Sequence, residues 1–185
     1  MRPLLHSSLS KLAVLGLVAL LAGCATGANP DSMVPPAVGF DAGSPLRGAI
    51  AVASVEGGTQ TDPMWMTRVG NPELEVALQT ALRNEGLLAN DPATAPYRLF
   101  MTLVEMDKPA IGFDFDVAST ARYVLTPAQG APALFDETVA TKGAASMGDS
   151  LIANERLRMA NESAIRANIA EFVARLKAHP PARAG

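Results

Sequence analysis

Tyr97-Arg98-Leu99-Phe100-Met101-Thr102-Leu103-Val104-Glu105-Met106, followed shortly by the stretch Phe113 to Thr126, decides the fold of this chain. The first run is apolar on both faces. Tyr97, Leu99, Met101 and Leu103 share one side, and Phe100, Val104 and Met106 the other. That pattern predicts a central strand. The second run alternates. Phe113, Phe115, Val117, Ala121, Tyr123 and Leu125 face one way, and Asp114, Asp116, Thr120 and Arg122 the other. It reads as a strand with one wet face. Residues 127–132 carry Pro127, Gly130 and Pro132 and make a turn, after which Leu134 to Thr141 returns as a polar edge strand. Three consecutive strands so connected form an antiparallel meander.

Working outward, Ala49 to Val55 is a short apolar run closed by Gly57 and Gly58, and suits a first strand. Asn71-Pro72 then opens a helix, with asparagine as the expected N-cap and proline at the first helical position. Leu74, Ala77, Leu78, Ala81 and Leu82 recur at helical spacing, and Gly86 stops the helix. A second, longer helix is predicted from Asp149 or Ser150 to Lys177, with Leu157, Ile165, Ile169, Phe172 and Leu176 as its apolar stripe. Glu162–Arg166 and Glu171–Arg175 are spaced as i,i+4 ion pairs. Ala-Asn recurs every seven residues at 153, 160 and 167, which predicts a small-residue seam bordered by asparagines. The order is β-α-β-β-β-α. The crossover helix makes strands 1 and 2 parallel. The expected fold class is therefore α+β, with two helices packed on one face of a four-stranded mixed sheet.

The N-terminus indicates compartment. Arg2 and Lys11 precede the eleven-residue run Leu12 to Ala22, which is too short to span a bilayer and reads as a signal peptide over residues 1–23. Leu21-Ala22-Gly23-Cys24 resembles the lipobox of bacterial lipoproteins. That resemblance implies acyl chains on Cys24, which would be the mature N-terminus and the attachment to the membrane. Ala25 follows where an aspartate would favour inner-membrane retention, so the resemblance points to the outer membrane, facing the periplasm. Residues 24–47, rich in Ala, Gly, Pro and Ser, read as a lipidated cysteine and flexible tether spanning on the order of 25 Å. The domain is expected over 48–178, and 179–185 reads as a disordered tail.

Composition narrows the chemistry. Removing the signal takes two basic residues from a chain of formal charge −3, leaving −5. A mildly acidic domain does not suit nucleic acid. Cys24 is the only cysteine, and the two histidines, His6 and His179, fall in the signal and the tail. Thiol or histidine catalysis and the usual zinc sites are therefore not expected, and neither is a cofactor or metal. Asp114 and Asp116 lie about 7 Å apart on one strand face, where carboxylate chemistry competes with a solvated face; Glu105 and Asp107 are similar. The aperiodic segment 56–70 holds Met64, Trp65 and Met66, which either fold back as a lid or stay exposed as contacts. Phe100 and Val104 point to a sheet face that two helices on the other side would leave bare.

Gly57-Gly58, Trp65, the Asn71 helix start, Gly112-Phe113-Asp114, Glu155-Arg156-Leu157-Arg158 and Asn168-Ile169 look like a family of short proteobacterial lipoproteins. Some members carry the name UDP-N-acetylglucosamine acyltransferase. The hexapeptide repeats and histidine base of such acyltransferases are not found here. The topology also resembles the lipopolysaccharide-assembly lipoprotein. The lipobox implies a lipid-anchored component; the missing histidine and cysteine favour binding of an envelope protein or amphiphile, with the loop residues Met64, Trp65 and Met66 and the sheet-face residues Phe100 and Val104 as the candidate contacts. The alternative is an envelope enzyme acting on glycan or acyl substrates.

Overall fold

A computed structural model describes residues 27–59, 68–107, 114–130 and 132–179. Its elements are β1 (Ile50–Glu56), α1 (Asn71–Asn84), β2 (Tyr97–Met106), β3 (Phe115–Pro127), β4 (Phe135–Ala145) and α2 (Ala153–Ala178). The sheet runs β1-β2-β3-β4, with β1 parallel to β2 and the remaining pairs antiparallel. This is the α+β arrangement expected from the alternation of the strands. Both helices bury their stripes on the same side. Leu74, Leu78 and Leu82 of α1 join Ile165, Phe172 and Leu176 of α2 over Leu99, Met101, Tyr123 and Val139 in one core.

Two bulges adjust the sheet. The register slips between Val52 and Ser54 in β1, and between Leu103 and Glu105 in β2. An inserted residue reverses which face the following side chains take. Met106 therefore packs against the core, whereas simple alternation placed it beside Val104 on the open face.

Helix α1 starts differently from its sequence reading. Gly70 occupies the N-cap, and the Asn71 side chain instead accepts the Gly58 N–H at 2.7 Å, tying the helix to the end of β1. Its C-terminus matches. Gly86 has φ +70, its N–H donates to the Arg83 carbonyl, and the N–H of the buried Leu87 donates to Leu82. These are the two bonds of a Schellman stop.

Helix α2 lies very close to the sheet. A Cβ on Gly143 of β4 would sit 2.1 Å from the Ala164 backbone nitrogen. Asn168 is fully buried at this contact and not at its border. Its Oδ1 accepts the Tyr123 hydroxyl at 2.9 Å, and its Nδ2 donates to the carbonyls of Val139 and Ser119. Ser119 and Thr141 hydroxyls both donate to the Ala164 carbonyl, at 3.1 and 3.2 Å. Tyr123 also stacks on Phe172 with ring centroids 4.1 Å apart, and burial pushes its phenol well above the usual tyrosine range. Of the two expected helical ion pairs, Glu171–Arg175 forms at 2.7 Å. Glu162 pairs with Arg158 instead, and Arg166 donates to the Ser32 carbonyl.

That last contact belongs to the largest departure from expectation. The sequence predicts a flexible tether over 24–47, but its described part, from residue 27 on, is a strap bound to both helices. A 3-10 turn, Pro30–Met33, follows Asn29, and Met33 and Leu46 are fully buried in the core. The Asn29 N–H donates to Glu162 at 2.7 Å, and the Val38 and Gly39 N–H groups donate to the two oxygens of Glu85 at 2.7 and 2.8 Å. Lys177 closes the strap on the Val38 carbonyl at 3.0 Å. A proline- and glycine-rich segment lacks periodicity, yet it binds firmly where buried carboxylates accept its backbone donors.

Candidate functional site

The sheet face opposite the helices carries the sequence-predicted residues that the structure brings together. Phe100 sits on β2 between Ser54 of β1 and Val124 of β3. Val104 stands at the β2 bulge. Phe100 is 38 % exposed and Val104 60 % exposed, although they lie on an interior strand of the sheet. Interior strands satisfy their backbone on both sides, so only the side chains of this face remain available for contact. Thr102, Thr120 and Val124 adjoin the apolar pair by register.

One charged feature borders it. Arg122 donates from Nε and Nη2 to the two oxygens of Asp136 at 2.7 and 2.6 Å, a bidentate cross-strand pair. The Arg122 hydrogen bonds hold the Asp136 carboxyl below the usual carboxylate range and raise the guanidinium. Both side chains are largely exposed, so the pair orients the face more than it stabilises the fold.

The carboxylates weighed for chemistry are spread out. Asp114 precedes β3 and accepts the Met147 N–H at 3.2 Å. Asp116 stands opposite Ala144, and Glu105 opposite Thr120. Among the described residues no three His, Cys, Asp or Glu side chains are placed to hold a metal ion. Cys24 and the trio Met64, Trp65 and Met66 lie outside the described residues. A pocket of about 340 Å3 opens where the strap passes the end of α2, lined by Phe40, Asp41, Gly43, Ser44, Pro45 and Lys177.

Sequence reasoning missed a second exposed apolar feature. Met147, Leu151 and Ile152 protrude from the loop before α2, at 43, 81 and 64 % exposure. The sequence offers Asp149 as a possible helix start. Its Oδ2 instead accepts the Ser146 N–H and hydroxyl, at 2.7 and 2.9 Å, closing a turn of its own. Ser146-Met147-Gly148-Asp149 is the turn signature that could have revealed it. Among the described residues no helix is long and apolar enough to cross a membrane.

No protein-family profile and no curated protein matches the chain. Solved structures do. A Xanthomonas campestris protein of the DUF330 family superposes with TM-score 0.54 at 14% identity, covering 79% of this chain and 94% of that one. A hypothetical protein from Chlamydia trachomatis gives 0.53 at 10%, covering 72% and 97%. A dodecamer of PelC from Paraburkholderia phytofirmans gives 0.50 at 18%, covering 78% and 92%. At these identities the likeness is one of architecture, and this chain has the fold shared by the DUF330 protein and PelC.

Proposed function

We propose that this chain is an outer-membrane lipoprotein, held through acyl chains on Cys24 and facing the periplasm, whose domain binds an envelope protein or amphiphile without catalysing a reaction. The observation that carries the binding role is the open sheet face. Phe100 and Val104 stand exposed on a sheet whose other side is fully committed to the core. Met64, Trp65 and Met66 are assigned to the same interaction from their place in the sequence. The alternative, an envelope enzyme using Asp114, Asp116 or Glu105, draws less support. Asp114 is engaged by a backbone N–H, and the other two stand on separate stretches of the sheet.

Photo-crosslinking residues placed at 65 and 100 in the native envelope test this reading. Capture of a defined protein or lipid from position 100, with none from Val76 on α1, supports it. Equal labelling at all positions refutes it. Acylation is tested separately by the mass of the N-terminal peptide. A second reading, that the partner is another copy, is favoured by the dodecameric state of PelC. Sedimentation of the Cys24→Ser chain over a range of concentrations distinguishes the two.

A further inference from the structure

We infer that Met147, Leu151 and Ile152 form a membrane-contacting tip, seated on the lipid surface that holds the Cys24 anchor. The inference rests on the acylation of Cys24 proposed above.

The path of the strap sets the geometry. Asn29 is bound to Glu162, Ser32 to Arg166 and Val38 to Lys177. Strap and helix therefore run in the same direction, and upstream of Asn29 the strap is aimed at the N-terminal end of α2. Ala28 is already buried. The five residue steps from Cys24 to Asn29 reach at most about 18 Å, whatever their path. From Glu162 back to Ile152 is about 15 Å along the helix axis. An anchor so short cannot hold the domain far from the lipid. It keeps the bilayer within reach of the end of α2 where the apolar tip protrudes.

The tip is built to present these side chains. The Ile152 N–H donates to the Ser150 hydroxyl at 3.1 Å, and Arg156 donates to the Ser150 carbonyl at 2.8 Å. Asp149 closes the Ser146 turn, and Asp114 holds the Met147 N–H. Several of the loop's backbone groups thus have fixed partners, while its large apolar side chains face outward. Apolar groups on a preorganised loop, at the end from which an acyl anchor emerges, suit the headgroup–acyl boundary. The anchor supplies the affinity, and the tip fixes the orientation.

The test uses the full mature lipidated chain in vesicles of phosphatidylethanolamine and phosphatidylglycerol. Leu151→Cys, Ile152→Cys and, as control, Val76→Cys each carry a bimane label. Val76 is exposed on α1. The labels at 151 and 152 are expected to shift to the blue and lose intensity when the lipids carry nitroxides on their acyl chains, while the label at 76 is unchanged. If the protein floats with the vesicles but the 151 label keeps its aqueous emission, the tip is not a lipid contact. Shielding at 151 in native envelopes but not in pure vesicles assigns the tip to a protein partner and overturns the inference. An N-terminal peptide lacking acyl mass removes the anchor reading and this inference with it.

Discussion

Gly143→Ala is the sharpest probe of how this domain is held together. The added Cβ would lie 2.1 Å from the Ala164 nitrogen, 2.6 Å from its Cα and 2.6 Å from the Ser163 carbonyl carbon. All three are backbone atoms of α2, so no side chain can rotate aside. Ordinary contact begins at 3.4 Å, so the helix must retreat by the 1.3 Å difference. The Ser119 and Thr141 hydroxyls reach the Ala164 carbonyl at 3.1 and 3.2 Å and would be stretched past bonding distance. Overpacking of this kind costs about 1–3 kcal/mol, and each lost hydrogen bond about 1 kcal/mol. The expected loss is about 3–5 kcal/mol from a total on the order of 5–15 kcal/mol. For a domain of this size that lowers the melting temperature by roughly 10–15 °C. Urea and thermal melts of the Cys24→Ser chain, followed by circular dichroism, measure it. Gly43→Ala is the control. No atom lies within 4 Å of its Cβ, so it should change stability by less than about 1 kcal/mol, in the stabilising direction. If the two variants melt together, the close seating of α2 on β4 is wrong.

The strap should loosen in Glu85→Gln, because an amide cannot accept both the Val38 and Gly39 N–H groups as Glu85 does. Hydrogen exchange at those two amides is expected to quicken by the equivalent of about 1.5–3 kcal/mol, and unchanged exchange would falsify the clamp. Asp149 is held below the usual carboxylate range by the Ser146 N–H and hydroxyl, and Asp136 by Arg122. Because both folded values are lowered, the stability they contribute is present above the ordinary carboxylate range and disappears as the pH falls through the lowered values. An NMR titration placing either midpoint at or above the ordinary value contradicts the assigned bonds. Phe100→Ser with Val104→Ser should alter stability by no more than about 1 kcal/mol, as for exposed positions, yet abolish crosslinking from a photo-reactive residue placed at the exposed position 102 of the same face. Capture that survives the double substitution would move the partner elsewhere. Cys24→Ser should leave the melt unchanged but release the protein from envelope membranes; retention would show that another element anchors it.

The strands were legible because each half-buried run alternates in the period of its own backbone. The β2 run from Tyr97 to Met106 carried its full extent in its sequence. The bulge at Val104 was not visible, since it is a property of the pairing with β3 and no residue of β2 announces it. The Ala-Asn echo shows a similar limit. Asn154 is exposed, while Asn168 is fully buried beneath Tyr123. What separates them is the strand residue facing each turn of the helix. Glu162 had two arginines at equal spacing, Arg158 and Arg166. The strap decided between them by offering Arg166 the Ser32 carbonyl. The strap itself left no periodic signal, because it is held through backbone donors to carboxylates far along the chain. Of the candidate site, Phe100 and Val104 could be found by counting two helices against two sheet faces. The tip at 147–152 had only the turn signal Ser146-Met147-Gly148-Asp149 to mark it, and Leu151 and Ile152 masked that signal by continuing an apparent helix behind Asp149.

The modest apolar content of the open face has a consequence for how it would work. By register, the side chains around Phe100 and Val104 are Ser54, Thr102, Thr120, the half-buried Val124 and the Arg122–Asp136 pair. A stable interface between dissolved proteins buries about 800 Å2 on each partner, with aromatic anchors at its centre. One half-exposed phenylalanine, the exposed Val104 and the half-buried Val124, bordered by threonines, fall short of that standard. Such a surface binds weakly in free solution. Confinement changes the requirement, because two components attached to one membrane meet at an effective concentration set by their attachment lengths. Under the proposed anchoring, with residues 28–47 fixed to the domain, only a few residues would separate the anchor from the domain, which would be held near one orientation. The open face would then be presented repeatedly to the same neighbours. In that setting a small, polar-bordered patch gains selectivity from orientation, and its low stickiness in solution keeps unanchored copies from associating.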